Sequence, residues 1–111
     1  MKVELKLHAD TINASAQLLE QVYNLSTPLG QSEKVVRSIA YDVAETMLSK
    51  QKTIRKKQTL FDAKKKHKVS LKFHEAFAFY NILNELLYTV SDEYNRTILG
   101  KLIGEVHQKI I

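Results

Sequence analysis

The heptapeptide KVELKLH at positions 2–8 returns as KVSLKFH at positions 68–74, with five of the seven residues identical. In each copy apolar residues alternate with polar ones: Val3, Leu5 and Leu7 in the first, Val69, Leu71 and Phe73 in the second. A period of two belongs to a half-buried strand, so both segments are predicted as strands with one face in water. A lone strand of this kind leaves its backbone donors and acceptors unpaired, and each copy can satisfy the other. The expectation is a two-stranded antiparallel ribbon.

Behind each strand the period changes to that of a helix. Asp10 is placed to cap a first helix whose apolar face carries Ile12, Ala16, Leu19 and Tyr23, and the run Ser26-Thr27-Pro28-Leu29-Gly30 ends it. Ser32 is placed to start a second helix through Val35, Val36, Ile39, Ala40, Val43, Met47 and Leu48. A third helix is predicted from about His74 to Thr89. Ser91 is placed to cap a fourth that runs to Ile110, with Asp92 and Glu93 suited to its N-terminal dipole. Tyr23 aligns with Tyr88, and the run from Ser32 to Ile39 aligns with that from Ser91 to Ile98, so the order strand, helix, helix reads as written twice. The predicted fold class is therefore α+β, mainly helical: a tandem βαα duplication with a two-stranded antiparallel ribbon and four helices. The 111 residues form one domain on this reading, with units at 2–50 and 68–111 and a basic connector at 51–67.

The element order resembles the ribbon-helix-helix family of DNA-binding proteins, in which the N-terminal strands of two βαα chains pair and enter the major groove. Gly30-Gln31-Ser32 followed by Val35-Val36-Arg37 is similar to that family's turn into its second helix. The resemblance implies that the outward strand residues Lys2, Glu4 and Lys6, with Lys68, Ser70 and Lys72, meet base edges. It also implies that the helix start at Ser32 holds a phosphate through backbone N–H groups. The second unit departs from the pattern, having no glycine in its turn and two carboxylates, Asp92 and Glu93, where a phosphate would sit.

The net charge of +5 is unevenly spread. Nine of the 17 basic residues lie between Lys50 and Lys68, with Asp62 as the one acid, which leaves eight basic residues against eleven of the 12 acids elsewhere. So dense a cationic segment repels itself unless an anion offsets it, and Arg55, Lys56, Lys57, Lys64, Lys65 and Lys66 are accordingly candidate phosphate contacts. Its bland counterpart is a solvated helix end and linker, and the outward strand lysines can equally serve to deter edge pairing.

Zero cysteines exclude disulfides and thiolate-bound metal. His8, His67 and His74 lack the carboxylate spacing of a metal set, and His107 reads as a surface residue of the last helix. No Gly-rich phosphate loop, nucleophile elbow or H-E-x-x-H motif occurs. No enzyme, cofactor or metal is therefore expected. No apolar run reaches the ~20 residues of a membrane span, and the N-terminus reads as a strand instead of a signal sequence, so a cytoplasmic protein is expected.

The stretch HEAFAFYNILNELLY leaves only a thin polar strip in the third helix. Phe77, Phe79, Leu83 and Leu86 are expected to serve a self-association surface as well as the core. The leading functional expectation is duplex nucleic-acid binding by a small regulatory or accessory protein. The alternative is a non-enzymatic scaffold that oligomerises through the apolar helix at 75–89.

Overall fold

A computed structural model describes residues 1–57 and 65–111. Strand β1 (Lys2–His8) leads directly into helix α1 (Ala9–Leu19), which tightens into a 3₁₀ turn at Glu20–Asn24. After the Ser26–Gly30 loop comes α2 (Gln31–Lys57). Strand β2 (Lys66–Lys72) leads into α3 (Phe73–Leu86), a 3₁₀ turn at Leu87–Thr89, and α4 (Glu93–Ile110). The fold is mainly helical α+β, with four helices and one antiparallel two-stranded sheet among the described residues, as the alternation predicted. Among the described residues no helix is long and apolar enough to cross a membrane.

The strands pair over their whole length, from Lys2↔Lys72 through Leu5↔Val69 to His8↔Lys66. Val3, Leu5, Leu7, Val69 and Leu71 face inward and are buried, while Lys2, Glu4, Lys6, Lys68, Ser70 and Lys72 are exposed. The helices cover the inner face alone, which is why the sequence alternates. Past the strand end, the Phe73 N–H donates to the Met1 carbonyl at 3.2 Å.

Several predicted boundaries move. The second strand spans Lys66–Lys72 and not 68–74, so Phe73 and His74 open α3. The cause lies at the strand end, where the Glu75 carboxylate reaches back to accept from the Lys72 N–H at 2.8 Å and satisfies a donor exposed by the helix start. His67, opposite Leu7, is the third inward residue of the strand in place of Phe73, which was expected to face inward at the strand's other end. His8, not Asp10, stands at the start of α1, and Asp10 accepts instead from the Tyr94 hydroxyl at 2.8 Å. Asp92, not Ser91, caps α4, accepting from the Asn95 N–H at 3.0 Å. Helix α2 begins at Gln31, so Ser32 lies within its first turn, and it runs 27 residues, about 40 Å at 1.5 Å per residue. It thereby takes up much of the predicted connector, because Ile54 falls on the same stripe as Ala40 and Met47 and is buried with them.

The two halves correspond in burial. Ile12 and Ala76, Leu18 and Ile82, and Leu19 and Leu83 are buried pairs at matching places in α1 and α3, and Val22 in the 3₁₀ turn after α1 matches Leu86 at the end of α3. Ala40, Val43 and Met47 match Leu99, Leu102 and Val106 in α2 and α4. Each second helix packs on both first helices: α2 on α1 and α3, α4 on α3 and α1. The heptapeptides, however, are out of step with this correspondence. His8 and Lys72 both immediately precede a helix, so Lys2 matches Lys66, whereas the sequence identity pairs it with Lys68, two residues on. Two is the strand period, so the slip preserves which residues face inward.

The core joins ribbon and helices through Leu5, Ile12, Leu19, Met47, Leu71, Phe79, Leu83, Leu86, Leu99 and Leu102. At its edge Tyr23 donates to the Glu45 carboxylate and stacks on Tyr41 with ring centroids 5.7 Å apart. That bond holds the Tyr23 phenol in its protonated form and pushes its pKa from 10.0 up to about 12.

Truncating Leu5 to Ala should cost about 2–5 kcal/mol, and Asp92→Ala about 1 kcal/mol, both measured by urea unfolding. A raised phenol pKa means the folded chain holds that proton more tightly than the unfolded one. The stabilisation it brings is complete below pH 10.0 and fades as pH climbs towards about 12. Stability should therefore fall across that window, and Tyr23→Phe should make the fall shallower.

Candidate nucleic-acid interface

The exposed face of the ribbon carries lysines in an arrangement a strand pair does not favour. Lys2 stands directly opposite Lys72, and Lys6 directly opposite Lys68. Like charges facing each other across a ladder destabilise it, by roughly 0.2–1 kcal/mol per pair. Lys66 adds a fifth cation opposite His8, and Lys65 stands exposed just before it. Glu4 is the one acid on this face, and its carboxylate lies 3.1 Å from Lys68 Nζ, with both side chains more than half exposed. A surface pair of that kind is weak, and among the described residues no ion pair forms with Lys2, Lys6, Lys66 or Lys72. Lys109, near the end of α4, donates from Nζ to the Glu4 carbonyl at 2.8 Å, bringing another ammonium against β1.

The structure thus gathers Lys2, Lys6, Lys66, Lys68, Ser70 and Lys72 on one face, with Lys65 exposed just ahead of β2. Arg55 and Lys56 are exposed in the last turns of α2, where cations also suit the helix C-terminus. Lys57 ends that helix, and Lys64 lies outside the described residues. Ser32 is exposed in the first turn of α2, but Glu33 shares that turn and its carboxylate lies against Gly30. An anion approaching those N–H groups meets a negative charge already there.

Of the four residues expected at a self-association surface, Phe79, Leu83 and Leu86 are buried within the chain, and Phe77 remains 45% exposed. Sequence reasoning passed over Lys109, which nothing in its own helix marks as a neighbour of β1. The histidines do not converge: His8 ends β1 exposed, His74 is exposed in α3, His67 is half-buried on the ribbon's inner face, and His107 stacks on Tyr80 with centroids 5.1 Å apart. No group of three or more potential metal ligands forms among the described residues.

Comparison of the chain with known protein families, with curated proteins and with solved structures finds no match.

Replacing Lys6 or Lys72 by Thr, a residue suited to an exposed strand position, should raise stability by about 0.2–1 kcal/mol, read from the urea midpoint.

Proposed function

We propose that the outer face of the ribbon binds duplex nucleic acid, with a regulatory or accessory role and no catalysis, in the cytoplasm. The observation that carries this reading is the pair of directly opposed lysines, Lys2↔Lys72 and Lys6↔Lys68, on a solvent-facing strand pair. One lysine in each pair would suffice to keep a sheet edge from aggregating. Two opposed pairs cost stability, and a polyanion is the ligand that reverses the sign of that cost. Shape agrees with charge: two strands about 4.8 Å apart make a ribbon narrow enough for a major groove of about 12 Å. The resemblance to ribbon-helix-helix proteins supplies the same docking mode. On this reading Lys2, Lys6, Lys72 and Ser70 face base edges, and Lys65, Lys66, Arg55 and Lys56 neutralise phosphates.

Fluorescence anisotropy with duplex DNA tests it. About four to five neutralised phosphates imply a slope of log K against log[salt] near −4. Lys6→Ala and Lys72→Ala should reduce discrimination between sequences, whereas Arg55→Gln with Lys56→Gln should weaken all sequences alike and flatten the slope by up to about 2. Absence of binding even at low salt, where unspecific contacts must show, would end the proposal.

A further inference from the structure

The correspondence between the halves places two equivalent crevices on the molecule, and they have different fates. One lies between α1 and the start of α4, lined by Asn13, Gln17, Gln21, Ser91, Asp92 and Asn95, and its two parts measure about 220 and 200 Å³. Tyr94 crosses it to bond Asp10 at 2.8 Å. The other lies between α3 and the start of α2, lined at the matching places by Phe77, Asn81, Glu85, Ser32, Glu33 and Val36. There Val35 stands where Tyr94 stands in its counterpart, and a valine cannot span the gap. The crevice is open, about 590 Å³, and Phe77 lies along it half exposed.

The rim of the open crevice carries its own plug. Pro28 lines it, and the next residue, Leu29, projects into water at 97% exposure. Arg37 fixes this loop, donating to the Ser26 carbonyl at 2.9 Å while lying 3.9 Å from the Glu85 carboxylate. One patch therefore holds an apolar knob and an apolar hole, rimmed by the carboxylates of Glu33 and of Glu85, whose partner Arg37 is itself mostly covered. Knob and hole together are the requirements of an isologous contact, in which the same patch on two copies must complement itself.

We propose that the groove between α2 and α3 receives a second copy of this chain, Leu29 of each copy entering the other's groove beside Phe77. Each copy supplies both the knob and the hole, which supports this occupant over a peptide that would bring only one of them. The surface is separate from the ribbon lysines, and the inference does not rest on nucleic-acid binding.

Sedimentation velocity of the full chain, from about 5 to 500 μM, tests it. A dimer should form, and Leu29→Asp and Phe77→Ser should each weaken it at least about tenfold. Tyr88→Asp, at an exposed residue that does not line the groove, should change nothing. Leu29 touches so little of its own chain that Leu29→Asp keeps the fold, which circular dichroism checks. The chain has no native cysteine, so mixing Leu29→Cys and Phe77→Cys proteins under oxidation should give a mixed disulfide dimer in excess of a Tyr88→Cys control. A monomer throughout the range, as expected if the groove takes an unrelated protein, would overturn the proposal. So would a dimer indifferent to Leu29→Asp, or no excess of the mixed disulfide.

Discussion

Everything in this molecule hangs on the pairing of two strands that lie far apart in the chain. Among the described residues neither β1 nor β2 has a second neighbour, so each depends on the other for its ladder bonds, and closing that contact joins residue 2 to residue 72. Once formed, the ribbon sets where α1 and α3 begin, because each follows its strand without a spare residue. The inner face of Val3, Leu5, Leu7, Val69 and Leu71 then needs cover, and helices from both halves provide it. Secondary structure that is local in α2 and α4 thus serves a contact that is not.

The same division decides what the two faces of the ribbon can do. Burial consumes the inner face except at His67, which stays half-buried. The outer face is left free of packing duties, and its residues need satisfy only water or a ligand. Five lysines, one histidine, one serine and one glutamate occupy it, a choice that folding alone does not call for. The functional reading rests on that surplus of charge, since strand stability by itself would favour β-branched or oppositely charged neighbours.

Much of this was legible in the chain. Alternation at Val3–Leu7 and Val69–Leu71 announced the ribbon and its wet face, and the helical stripes announced four helices. Their limits were less legible, because they depend on capping contacts. Glu75 begins α3 early by bonding the Lys72 N–H, and Asp92 displaces Ser91 because its carboxylate reaches the Asn95 N–H. Ile54 extends α2 for a tertiary reason, a place in the core that a segment crowded with lysines does not advertise. The apolar third helix suggested a sticky surface, yet three of its four marked residues serve the chain's own core. The knob at Leu29 passed as an ordinary loop residue because its significance lies in the groove beside it.

The repeated heptapeptide has one further consequence, for how the chain finds its structure. Sliding β2 by two residues would set Lys68–His74 against Lys2–His8 with every inward position still inward. In that arrangement Glu4 would face Lys72, Lys6 would face Ser70, and Phe73 would enter the inner face in place of His67. On charge and on hydrophobic burial the rival alignment is the better of the two. What it lacks is room, since it would unwind the first residues of α3 and strand the Glu75 contact. The helix start therefore works as a stop that holds the ladder in a costlier alignment. The energy of the opposed lysines is stored by the helix behind them.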